Sequence, residues 1–111
     1  MATDHEAYLE RVRKYDADAD ADHVKSIVNK LGIALQNRDS ILVSCSDKGE
    51  LTSIRDGFAK KRLGLHEKHS DDEIMSVINE VCAEMAGDGG QKHRVPFYYL
   101  LAKKTGTLDK V

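Results

Sequence analysis

The side chains best suited to chemistry are few and scattered. Two cysteines, Cys45 and Cys82, and five histidines, His5, His23, His66, His69 and His93, are the soft and nucleophilic groups of the chain. Cys45 lies in Ser44-Cys45-Ser46-Asp47, directly before an expected helix start. Unpaired amide donors and the positive end of such a helix favour a thiolate there, which makes Cys45 the candidate catalytic nucleophile. A nucleophile also needs a base, and no histidine neighbours Cys45 in sequence, so a partner must come from the fold. The competing account is a small, half-buried residue between two capping serines. Cys82 falls on an apolar stripe and reads as core. His66 and His69 share an i, i+3 spacing, but no cysteine is close and no H-E-x-x-H occurs, so neither a metal site nor a cofactor is expected.

The run Asp16-Ala17-Asp18-Ala19-Asp20-Ala21-Asp22 invites a calcium reading. An EF-hand loop requires glycine at position six and a bidentate glutamate at position twelve. Counted from Asp16 those places hold Ala21 and Ile27; counted from Asp18 they hold His23 and Asn29. Both registers fail, and the run is expected to be a solvated turn and cap. The stretch Gly87-Asp88-Gly89-Gly90-Gln91-Lys92-His93-Arg94 is glycine-rich, then basic, and then enters a helix. It lacks the G-K-[ST] ending of a phosphate loop and the preceding strand of a dinucleotide fingerprint. Lys92, His93 and Arg94, with Arg38 from the irregular segment 37–47, are nevertheless the candidate ligand-binding residues for an anion, and Lys60-Lys61-Arg62 is a second basic place. Phe97-Tyr98-Tyr99 offers aromatic faces for stacking, although the core needs Phe97, Leu100 and Leu101.

The elements that must position these groups are helical almost throughout. Tyr8, Leu9, Val12 and Tyr15 mark a first helix over 4–15, opened by the capping-box spacing of Thr3 and Glu6. Short carboxylates compete with the helical backbone, so the acidic run breaks it. Asp20 or Asp22 then caps a second helix carrying Val24, Ile27, Val28 and Leu31, with Leu35 extending it towards Gln36. Ile41, Leu42 and Val43 read as one very short strand near 41–44 or a single turn. A third helix from Ser46 or Asp47 aligns Leu51, Ile54 and Phe58 and closes at Lys60-Lys61-Arg62 before Gly64. Ser70 and Glu73 form a capping box ahead of Ile74, Val77, Ile78, Val81, Cys82 and Met85, the clearest amphipathic helix. Pro96 fits the first position of a last helix that ends at Gly106. The expectation is an all-α, compact, irregular bundle of about five helices, forming a single domain over 1–111.

Composition bounds the rest. The 111 residues are 41% hydrophobic and 32% charged with net charge −2, and the mean hydropathy is −0.50. The total gives no strong steering of nucleic acid, which is an unlikely partner on this ground. No apolar run reaches the ~18 residues of a membrane helix, so no membrane contact is expected. A charged start and two cysteines point to a cytoplasmic, reducing setting without a disulfide framework. Charge is unevenly placed: residues 1–24 carry −4, 25–64 carry +4 and 65–111 carry −2. Such a distribution serves either attraction within the fold or a charged docking face.

Three blocks, GIALQNRDSILVSCSD (32–47), RDGFAKKRLGL (55–65) and VPFYYLLAKKTGTL (95–108), resemble a family of small bacterial proteins classed only as a domain of unknown function. The resemblance implies a compact helical domain in a bacterial cytoplasm and carries no activity, cofactor or site residue. Two functional readings follow. The first is a non-enzymatic domain acting through protein contacts or self-association. The second is a small-molecule or anion-binding protein, or a thiol-dependent enzyme, in which Cys45 and the 92–94 loop meet around a cavity.

Overall fold

Helix α1 (His5–Arg13) and helix α2 (Ala21–Leu31) are joined by the acidic turn. The computed structural model describes residues 5–31, 42–88 and 92–108; the candidate Arg38, the Thr3–Glu6 cap and the extension of α2 past Leu31 lie outside them. Asp20 caps α2, accepting the Asp22 N–H at 2.8 Å, and Val24, Ile27 and Val28 are buried on its inner stripe. Of the expected strand, one antiparallel bridge between Leu42 and His93 is present among the described residues.

Helix α3 (Lys48–Ile54) starts where Asp47 accepts the N–H groups of Gly49 and Glu50. It does not continue as an α-helix. Residues Arg55–Arg62 form a π-helical segment, closed by Gly64 at φ 66°. The wider turn changes which side chain points inwards. Ala59 and Leu63 follow Leu51 and Ile54 into the core, whereas Phe58 is pushed to the margin and stacks on Tyr98, with ring centroids 4.1 Å apart. The 3,4 spacing that aligned Phe58 with Leu51 and Ile54 holds only for an unbroken α-helix.

After a 3₁₀ turn (Leu65–Glu67), helix α4 (Asp71–Glu84) opens on the expected capping box. The Glu73 N–H donates to Ser70 Oγ at 3.2 Å and the Ser70 N–H to Glu73 Oε1 at 3.0 Å. Ile74, Ile78, Val81 and Met85 are buried. A second 3₁₀ turn, Ala86–Asp88, follows.

Helix α5 (Arg94–Lys104) is the centre of the molecule, with every residue from Val95 to Ala102 buried. It packs against α1, α2, α4 and the π-segment, and a helix apolar all round requires such a surrounding. Phe97, Tyr98 and Tyr99 are all buried in it, so none of these three rings offers an exposed face for stacking. Pro96 stands at the third helical position, not the first, because His93 is the N-cap; amides there still lack a helical acceptor, and the ring is tolerated. The helix ends in a Schellman motif: the Thr107 N–H donates to the Ala102 carbonyl at 2.8 Å and the Gly106 N–H to the Lys103 carbonyl at 3.1 Å. Gly106 takes φ 68° to allow it. The five α-helices of the described residues make the all-α bundle that the periodicity implied, with a Cα radius of gyration of 12.9 Å, close to the roughly 13 Å of a compact chain of this length.

Candidate functional site

The candidate residues that can be described meet at one edge of the bundle, where residues 42–47 run beside the start of α5. The Val43 N–H donates to the Lys92 carbonyl at 2.7 Å, and Leu42 bridges to His93. Lys92 and His93 are half-buried there, His93 also serving as N-cap. Burying Val43 holds this irregular segment against the core.

Arg94 is held by several partners. Its guanidinium is ion-paired to the Glu50 carboxylate, donates to the Tyr98 hydroxyl at 3.1 Å and to the Leu42 carbonyl at 3.3 Å, and lies 5.7 Å from the Tyr98 ring centroid. Only 11% of its side chain is exposed. Burial pushes the pKa of Tyr98 up, with Arg94 opposing, so the phenol stays protonated. A charge buried this far needs such partners. A buried polar network is thus centred on Arg94 and Glu50.

Cys45 and Cys82 are joined as a disulfide, Cα–Cα 6.0 Å. This corrects the expectation of a chain without a disulfide, in which the two cysteines were separate thiols and Cys82 a core residue, and it removes cysteine usage as a ground for a reducing setting. Both cysteines are half-buried at the edge of the core. The flank of α4 carries Cys82 round to the 42–47 segment, and in this form neither sulfur is a nucleophile. No sequence spacing encodes the pairing, since two cysteines 37 apart are equally compatible with separate roles.

The second basic place is consumed in part. Lys60 Nζ pairs with Asp71 at 2.7 Å and Asp56 at 3.3 Å, and Arg55 Nε with Asp56 at 2.9 Å. The hydrogen bond from Lys60 holds Asp71 below the usual carboxylate range, and that from Arg55 does the same for Asp56. Lys61 and Arg62 remain exposed. A cleft of about 240 Å³ lies elsewhere, between the 63–69 turn and the α5 end, lined by Lys68, His69, Thr105 and Thr107 among others. It includes neither Cys45 nor 92–94.

The acidic run has a structural part that sequence reasoning missed. Asp16 accepts the Tyr99 hydroxyl at 2.7 Å and pairs with Lys103 at 3.1 Å, with 12% of its side chain exposed. The Tyr99 hydrogen bond, then Lys103, hold its carboxyl below the ordinary value against the opposing effect of burial. Burial, reinforced by Asp16, pushes Tyr99 up. Ala19 is buried as well, leaving Asp18, Asp20 and Asp22 exposed on the turn. The available signal was Tyr99 itself: a tyrosine inside an all-apolar helix must find an acceptor for its hydroxyl. Among the described residues no group of three or more His, Cys, Asp or Glu side chains is arranged to hold a metal ion, and no helix is long and apolar enough to cross a membrane.

Fold and site together define a small all-helical protein clamped at one edge by a disulfide and a buried ion pair. The chain belongs to the family described as "Protein of unknown function (DUF2853)", which matches residues 7–109 and so includes the acidic run. No curated protein matches the sequence.

Proposed function

We propose that the chain is a single helical domain of the bacterial cytoplasm that acts through protein contacts, with the acidic turn as its docking face for a basic protein surface. The observation that carries this reading is the Tyr99–Asp16 hydrogen bond of 2.7 Å. With buried Ala19 it pins the turn, so that Asp18, Asp20 and Asp22 are held outwards on a fixed backbone. A preorganised face loses less entropy on binding, and clustered charge of one sign speeds encounter with its opposite. The occupation of Arg94 by Glu50, Tyr98 and Leu42 also favours contact over anion capture.

The test is a titration of the labelled chain with a lysine-rich peptide, followed by amide shifts. Asp71-Asp72-Glu73, exposed at the start of α4, is the internal control. Binding is expected at 18–22 in preference to 71–73, weakening with salt and lost in Asp18→Asn/Asp20→Asn/Asp22→Asn. Equal response of the two acidic clusters, or none, counts against the reading. A second reading, anion binding at 42–45 and 92–94, draws on the Leu42–His93 bridge. Shifts at Lys92 and His93 on adding inorganic phosphate would favour it.

A further inference from the structure

We propose that Cys45 and Cys82 form a redox-interconvertible pair, opened by thiol–disulfide exchange with a dithiol and acting as a latch on the 42–47 segment. The proposal is independent of the acidic docking face, since it uses other residues and another edge of the molecule. Three observations support it. Both cysteines are half-buried and not sealed in, and their neighbours Ser44, Ser46, Ala83 and Glu84 are exposed, so one side of the bond is reachable. The bond sits at the margin of the core, whose buried members are aliphatic and aromatic side chains contributed by all five α-helices and the π-segment. The elements that it ties have their own closures: the Asp47 cap on α3 and the Ser70–Glu73 box on α4. Opening it therefore leaves the bundle packed and releases mainly the stretch before α3. That stretch is otherwise held by Val43 and by the contacts of Leu42 and Val43 with 92–94.

In the exchange, a thiolate of the dithiol attacks one sulfur of the pair, forming a mixed disulfide and expelling the other cysteine as a thiolate, which takes a proton. The second thiol of the reagent, deprotonated, then displaces the remaining cysteine. The protein disulfide gains two electrons and two protons and becomes two thiols; the dithiol becomes a disulfide. Because the Leu42 carbonyl accepts a hydrogen bond from the Arg94 guanidinium, the change is transmitted to the start of α5.

The full chain is to be equilibrated in dithiothreitol buffers of graded reduced-to-oxidised ratio, without denaturant. The pair is scored by alkylation and mass, helicity by circular dichroism and local change by amide shifts. Reversible conversion with helical signal retained, and shifts concentrated at 42–47, around 82 and at 92–94, is the expected result. A pair that opens only after urea unfolds the chain, that takes the helical signal with it, or that never forms in the oxidised buffers overturns the proposal. Cys45→Ser/Cys82→Ser should reproduce the spectrum of the reduced chain, and its failure to fold counts equally against it.

Discussion

At the level of single residues, Arg94 and Asp16 show how buried polar groups are satisfied by partners far away in sequence. Arg94 reaches Glu50 across 44 positions and Asp16 takes the Tyr99 hydroxyl across 83. Removing one partner strands the other. Glu50→Ala should cost about 2 kcal/mol, below the value for a fully buried pair because a quarter of the Glu50 side chain is exposed. Glu50→Ala/Arg94→Met should recover part of it, as read from urea midpoints. Asp16 gives a pH signature. Its folded value is depressed, so its contribution is complete above the unfolded value near 3.8 and is lost as pH falls through the lower folded one. Midpoints measured from about pH 6 down to about pH 2 should therefore fall less steeply in Asp16→Asn than in the parent chain. An identical slope would show that the carboxylate is not linked to folding. Neither partnership was legible beforehand: type and spacing mark a residue as needing a partner, but only the fold supplies which.

At the scale of elements, what can be read locally was legible and what depends on packing was not. The Asp47 cap, the Ser70–Glu73 box, Gly64 and Gly106 are determined within a few residues of chain, and each is found where its pattern stands. The π-segment escaped because its signal is a change of turn width, which is seen only in the fold, where Ala59 and Leu63 are buried and Phe58 is left half-buried. Helix α5 is legible only in part, because Phe97, Leu100 and Leu101 mark one stripe of a helix that is buried at every position from Val95 to Ala102. The local devices can be tested one by one. Ser70→Ala should lose about 1 kcal/mol with its cap. Gly106→Ala should lose a similar amount, although its Cβ meets open space, because φ 68° is costly for any residue bearing a side chain. If Gly106→Ala were neutral while Ser70→Ala was not, the Schellman closure would not be what ends α5.

At the scale of the molecule the question is whether the disulfide or the core decides that the chain folds. A bond closing a loop of 37 residues stabilises by about 4 kcal/mol in the chain-entropy account. Burial on α5 alone is of greater weight: Phe97 and Leu101 are fully covered, and truncating such residues to alanine costs roughly 2–5 kcal/mol each. Domains of this size have a net stability of about 5–15 kcal/mol, so the reduced chain should stay folded with a lower margin. By the same linkage the fold stabilises the disulfide as much as the disulfide stabilises the fold, which sets how reducing a buffer must be to open it. Urea unfolding of oxidised and reduced chains in parallel should give a midpoint that drops on reduction. The oxidised slope should be the smaller one, because its unfolded state stays looped and exposes less surface. A reduced chain with the shallower slope would mean that part of the bundle had already come apart, and that the half-buried bond holds the core itself and not just the 42–47 edge.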